Sequence, residues 1–109
     1  MKITADSLPI RDITNFLGGE KTIRTRMMAD ELGKIMWGTL EPGASIGMHT
    51  HDTSSEIIYI LSGSGKVLYD NEVETVTAGD CHYCPKGHTH SLINDGSETM
   101  EVFAVVPVQ

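Results

Sequence analysis

The sequence predicts an all-β fold, a sandwich or barrel built from short strands. Three observations carry that expectation: strand-like runs recur at roughly 8–12-residue spacing, turn residues separate them, and no long amphipathic helical pattern occurs. A chain of 109 residues makes one domain with a modest core.

The first twenty residues are mixed in character and are expected to pack as an N-terminal segment on a barrel made by residues 21–109. Pro9 comes early, residues 12–17 offer one helical turn, and Gly18-Gly19 is a flexible break. Residues 22–28 (TIRTRMM) and 34–41 (KIMWGTLE) read as two strands. Residues 46–51 give a short strand and 56–62 a longer one. Residues 66–69 and 72–76 flank Asp70-Asn71, a two-residue loop of the kind that closes hairpins. Residues 81–84, 90–93 and 100–106 complete the set, with Asn94, Asp95 and Gly96 punctuating the last pair. There is no fixed-period repeat, low-complexity tract or linker.

Charge narrows the partners. The net charge is −7 with eight Lys plus Arg and no basic block, which argues against binding a nucleic-acid backbone. The apolar residues of positions 1–17 are broken by Thr, Asp, Pro and Arg, so neither a signal-peptide core nor a membrane span can be drawn. The expectation is a soluble cytoplasmic protein with no membrane partner.

The chemistry concentrates in residues 43–63, GASIGMHTHDTSSEIIYILSG. Side chains alternate faces along a strand, so His49 and His51 point the same way, and Glu56 joins them after a short turn. Two imidazoles and a carboxylate with no thiolate suit a divalent transition metal held on one side. A second stretch, residues 79–94 (GDCHYCPKGHTHSLIN), bends at Pro85 and Gly87 and presents His90 at the start of the next strand. That makes four ligands, His49, His51, Glu56 and His90. A metal of octahedral preference would keep two positions for water, substrate or dioxygen. Burying four such groups together without a cation would be costly.

These stretches resemble the two motifs of the cupin family. The first, glycine, five residues, His-x-His, four residues, glutamate, six residues and glycine, is matched by Gly43, His49, His51, Glu56 and Gly63. The second, glycine, five residues, Pro-x-Gly, two residues, histidine, three residues and asparagine, is matched by Gly79, Pro85, Gly87, His90 and Asn94. The resemblance implies a double-stranded β-helix, or jelly-roll β-barrel, with a metal bound inside by His49, His51, Glu56 and His90. It implies a divalent Mn, Fe, Zn, Ni, Co or Cu without choosing among them. It also leaves two functions open. One is a metal-dependent enzyme of dioxygenase, isomerase or decarboxylase type acting on a small polar organic molecule, and the other is a metal-containing module that binds or senses a small ligand.

Beyond the metal, Glu56 is the candidate proton acceptor, and Tyr59, Tyr69 and Tyr83 can each offer a hydroxyl to a substrate. Tyr59 and Tyr83 join Glu56 as catalytic candidates. Arg24 and Arg26 share a strand face and would clamp a carboxylate or phosphate if it lined the barrel; the alternative is a solvated edge strand. Met36, Trp37, Met48 and Met100 supply either a pocket wall or core. His88 is expected on the rim, and His82 at solvent or a subunit contact. Cys81 and Cys84 form a CxxC without a second pair, and read as reduced, partly buried strand residues. Ile58 and Ile60 share the parity of Glu56, which leaves Ile57, Tyr59 and Leu61 outside; such an apolar face wants a cover, and a homodimer is the expectation.

Overall fold

Ten antiparallel strands in two facing sheets hold about three-fifths of the residues of the computed structural model, which describes residues 1–109. They are β1 (Ile10–Thr14), β2 (Thr22–Asp30), β3 (Gly33–Leu40), β4 (Ser45–Thr50), β5 (Glu56–Ser62), β6 (Ser64–Tyr69), β7 (Glu72–Thr77), β8 (Cys81–Cys84), β9 (Thr89–Ile93) and β10 (Met100–Pro107). One sheet runs β1-β2-β3-β10-β5-β8 and the other β4-β9-β6-β7. This is the double-stranded β-helix. The connectivity is non-local: β10 pairs with both β3 and β5, and β4 pairs with β9.

Alternation along β5 shows how the sequence sorts its faces. Glu56, Ile58 and Ile60 are buried between the sheets, while Ile57, Tyr59 and Leu61 face outward and stay 38–45% exposed. Ile58 and Ile60 join Ile23, Leu40, Val67, Leu92, Met100 and Val102 in one continuous core. On the outer face Trp37 packs on Phe103, ring centroids 4.9 Å apart. The β6–β7 hairpin closes through Asp70-Asn71 with Asp70 at φ 51°, in the left-handed region that Asp tolerates.

The N-terminal segment departs from the expected helical turn at residues 12–17. Residues 10–14 form β1, hydrogen-bonded along β2, and only Phe16–Gly18 makes a tight turn. The strand has little apolar alternation because cross-strand polar pairs hold it: Arg24 grips Asp12 with two hydrogen bonds of 2.9 and 3.2 Å, and the Thr14 and Thr22 hydroxyls meet at 2.9 Å. The same pairing makes β1 the edge and moves β2 inside the sheet, so β2 is not the edge strand its arginines suggested. Arg24 and Arg26 lie outside the barrel, Arg26 donating to the carbonyls of Ala5 and Leu8.

One loop contact bears directly on the site. The Phe16–Gly18 turn lies against β4, fastened by Ser45 N–H to the Glu20 carbonyl at 3.0 Å and Glu20 N–H to Ser45 Oγ at 2.8 Å. Gly19 and Gly47 allow this approach: a Cβ at Gly47 would sit on the Leu17 carbonyl oxygen and 2.7 Å from the Gly18 carbonyl carbon.

Candidate metal centre

Both sheets contribute to one cluster. His49 lies near the end of β4, directly across from His90 in β9, and His51 follows just beyond β4. The chain after β4 is held in place by the second motif, since Gly87 N–H donates to the His51 carbonyl at 2.7 Å and His51 N–H to the His88 carbonyl at 3.1 Å. Glu56 opens β5 in the opposite sheet, paired with Cys84 of β8. The three Nε2 atoms lie 3.0–3.1 Å from one another. Glu56 Oε1 lies 2.9 Å from His90 Nε2, 3.1 Å from His51 Nε2 and 3.7 Å from His49 Nε2. The four side chains named from the sequence are therefore the four the fold brings together, as a group able to hold a metal ion.

His49 shows why a cation fits. Its Nδ1 lies 2.7 Å from the Gly47 carbonyl, which only accepts, so Nδ1 carries the proton and Nε2 turns a lone pair into the cluster. Three nitrogens and a carboxylate oxygen then converge, the donor set of a first-row divalent metal.

Burial opposes charge on Glu56, His49 and His90, and hydrogen bonds decide where it remains. Burial raises the Glu56 pKa, but hydrogen bonds with His49, His51 and His90 more than reverse this and hold it well below the usual carboxylate range. Burial lowers the His49 pKa, yet Glu56 and the Gly47 carbonyl outweigh it and leave the value raised. For His90 burial prevails and the pKa is lowered.

The cluster opens on a cavity of about 60 Å³, bounded by Phe16 and Leu17 of the turn, by Met36, and by Lys34 of β3. Lys34 Nζ sits 5.8 Å from the centre of the Phe16 ring, and it is the one cation among the lining residues. Neither Lys34 nor the turn was evident in the sequence, because only the chain path over β4 brings Phe16 and Leu17 to a metal site formed thirty residues later.

Other expected positions divide. Met36 lines the cavity, Met100 is core, and Met48 is exposed. Tyr59 and Tyr83 lie exposed on the outer face and are not brought to the cluster. Tyr69 stacks on His88, which reaches the rim and binds Asp70 at 2.7 Å, a hydrogen bond that lowers the Asp70 pKa. Both cysteines are free; Cys81 is exposed and Cys84 buried, where burial, reinforced by the charges of Glu56 and Asp70, pushes the thiol up to about 11. His82 corrects the sequence reading. Instead of facing solvent or a subunit it is 3% exposed, because Tyr83, not His82, takes the outward position on β8.

Comparison with known proteins agrees with this geometry. The family model described as a cupin domain matches residues 36–106. The oxalate-binding protein of Thermotoga maritima is 41% identical over 68 residues, covering 62% of this chain and 55% of that protein. Xanthan biosynthesis protein XanB of Xanthomonas campestris is 33% identical over 67 residues, which are 62% of this chain and 14% of its own length. The chain thus spans about half the length of the first relative and a small part of the second. A crystal structure of a predicted oxalate decarboxylase from Thermotoga maritima superposes with a TM-score of 0.92 at 26% identity, over 100% of both chains. The cupin domain of Schizosaccharomyces pombe Cnp3 superposes at 0.80 with 13% identity, over 99% of this chain and 74% of that one, and bears on the fold alone. No helix is long and apolar enough to cross a membrane. With the match over residues 36–106, both motifs inside it and the histidine–glutamate cluster within the barrel, the chain belongs to the cupin family.

Proposed function

We propose that this cupin holds a divalent metal through His49, His51, Glu56 and His90 and uses it to take a small dicarboxylate of the oxalate class. The observation that carries the reading is the pairing of the cluster with Lys34 over a cavity of about 60 Å³. Pockets for drug-sized ligands run to roughly 300–1,000 Å³, so this one suits a molecule of few atoms. Charge agrees with that size. Three neutral imidazoles, one carboxylate and a divalent ion sum to +1, and Lys34 brings the cavity to +2, matching a dicarboxylate dianion. The relatives whose names refer to oxalate support the same ligand class.

When bound, the metal supplies Lewis-acid chemistry and, if it is iron or manganese, redox chemistry. The chain supplies the rest: Lys34 grips the distal carboxylate, while Phe16 and Leu17 exclude water from above. The enzymatic reading is cleavage of the oxalate C–C bond, which takes up one proton and yields formate and carbon dioxide. A second reading, retention of the dicarboxylate unchanged, is favoured by the absence of titratable side chains from the cavity lining other than Lys34 and the cluster itself.

Calorimetric titration of manganese-loaded protein with oxalate tests the ligand class. Lys34→Met is expected to weaken binding by roughly 10–100-fold, the worth of one charge-assisted hydrogen bond, and Lys34→Arg to preserve it. Equal affinity in wild type and Lys34→Met would remove the lysine from the site, and failure of oxalate to bind would remove the ligand class. Formate release identifies the enzyme, and recovery of oxalate the binding module. The exposed Ile57, Tyr59 and Leu61 face is proposed to pair with a second copy. Light scattering that gives a monomer at micromolar concentration would end that proposal.

A further inference from the structure

We propose that Glu74 and His82 form a directional hydrogen-bond chain that fixes His90 in the tautomer whose Nε2 lone pair faces the metal position. The inference rests on the metal reading above, yet its structural basis lies outside the four ligands.

Each cluster histidine has its Nδ1 engaged by a different partner. For His49 it is the Gly47 carbonyl and for His51 the Ser54 hydroxyl at 2.8 Å. For His90 it is another imidazole, His82 Nε2, at 3.0 Å. An imidazole in that place can accept or donate, so by itself it leaves the His90 tautomer undecided. Glu74 removes the ambiguity. Its Oε1 lies 2.8 Å from His82 Nδ1, and an ionised carboxylate only accepts. In a neutral His82 ring Nδ1 therefore carries the proton and donates to Glu74, Nε2 is left to accept, and His90 donates from Nδ1. The remaining nitrogen, His90 Nε2, then has its lone pair free 2.9 Å from Glu56 Oε1.

The setting of His82 suits this part. Its side chain is 1% exposed, so water does not compete for either nitrogen, whereas the Glu74 carboxylate is 41% exposed and reaches solvent. The His82 ring stacks on that of His90, 5.2 Å between centres and 29° between planes, and the Tyr69 ring closes on it edge-first. Glu74 belongs to β7 and His82 to β8, the outermost strands of the two sheets, so the chain enters the barrel across the seam between them. His82, Cys84 and His90 also lie close enough to bind a cation of their own. That arrangement would need a bare His90 Nδ1 and a Cys84 thiolate. The 3.0 Å hydrogen bond occupies the first, and burial holds the Cys84 thiol protonated.

Two measurements on the intact chain test the proposal. Nitrogen-15 NMR of the histidine rings in metal-free protein is expected to show His90 protonated on Nδ1 in wild type, and a mixture of tautomers in Glu74→Gln, whose amide can donate as well as accept. Zinc(II) affinity by chelator competition is expected to fall about 10–100-fold in His82→Leu, the usual effect of losing an orienting partner. His82→Gln, which restores an acceptor to the His90 N–H, should recover most of the loss. Glu74→Gln sits at the surface and keeps the test open if His82→Leu fails to fold. Protonation of His90 on Nε2 in wild type, unchanged zinc affinity in His82→Leu, or a second zinc equivalent abolished by Cys84→Ser would each overturn the proposal. If wild type binds no zinc at all, the metal reading fails, and the NMR tautomer alone decides the chain.

Discussion

Replacing His51 with alanine is expected to reduce divalent-metal affinity by roughly 10²–10³-fold. The magnitude follows from sharing the roughly 10–16 kcal/mol of a four-ligand zinc site among its ligands, about 2.5–4 kcal/mol each. His51 is the position to change because its Nε2 is the hub, 3.0–3.1 Å from Glu56, His49 and His90. Metal content by mass spectrometry after purification, followed by chelator competition, reads the effect directly, and a His51→Ala protein with undiminished metal would refute the ligand assignment. Acid should act on wild type in the same direction. A protonated imidazole cannot ligate, and His49 holds its proton more firmly than a free histidine with its ordinary pKa of about 6.5. The apparent metal affinity is thus undiminished by protons at His49 above the His49 pKa and weakens as pH falls through it, from a higher pH than a free histidine would set.

Gly47→Ala is expected, with Gly19→Ala, to be among the most damaging small substitutions in the chain. The added methyl meets backbone, not a side chain that can swing away, since the Leu17 carbonyl and the Gly18 carbonyl carbon occupy its space. Overpacking costs typically 1–3 kcal/mol, and a clash with main chain belongs at the top of that range or above it. For a domain of about 100 residues that corresponds to a melting temperature lower by roughly 12 °C or more. Thermal denaturation of the metal-free protein measures it, with Gly38→Ala as the control. Gly38 would meet the ends of two side chains, Val102 Cγ2 at 3.3 Å and Met36 Cε at 3.5 Å, which can yield. Equal melting temperatures for the two variants would mean that the turn is free to lift off β4, and that Phe16 and Leu17 do not form a fixed roof.

The contrast between these two sites indicates what the sequence revealed. The ligands were legible because their spacing is local: His49, His51 and Glu56 lie within eight residues, and Pro85 with Gly87 aims His90 by turn chemistry alone. The inward and outward sides of β5 were legible for the same reason, through strict alternation. β1 was not, because Asp12 and Thr14 are held by Arg24 and Thr22, partners identifiable only once the strand register is known. His82 was placed outside because parity on a four-residue strand says which residues share a face but not which face is inward. That choice is fixed by the pairing of Glu56 with Cys84, a long-range fact. Lys34 escaped attention for a similar reason, since nothing near it in the chain relates it to the metal ligands.

The position of β10 bears on how the barrel would acquire an ion. The last strand in sequence lies in the middle of the larger sheet, between β3 and β5, so the wall that carries Glu56 cannot close until residues 100–107 have been made and docked. His49 and His90 are themselves 41 residues apart. Pairings this distant form late in folding, after the entropy of closing long loops has been overcome. The four residues of the cluster therefore meet only in a finished barrel, and an ion held there would have to enter through the opening lined by Lys34, Phe16 and Leu17 instead of being wrapped by a growing chain. Loading would then be a step of maturation, separate in time from folding, and the ion taken up would depend on the metals present once the barrel has closed.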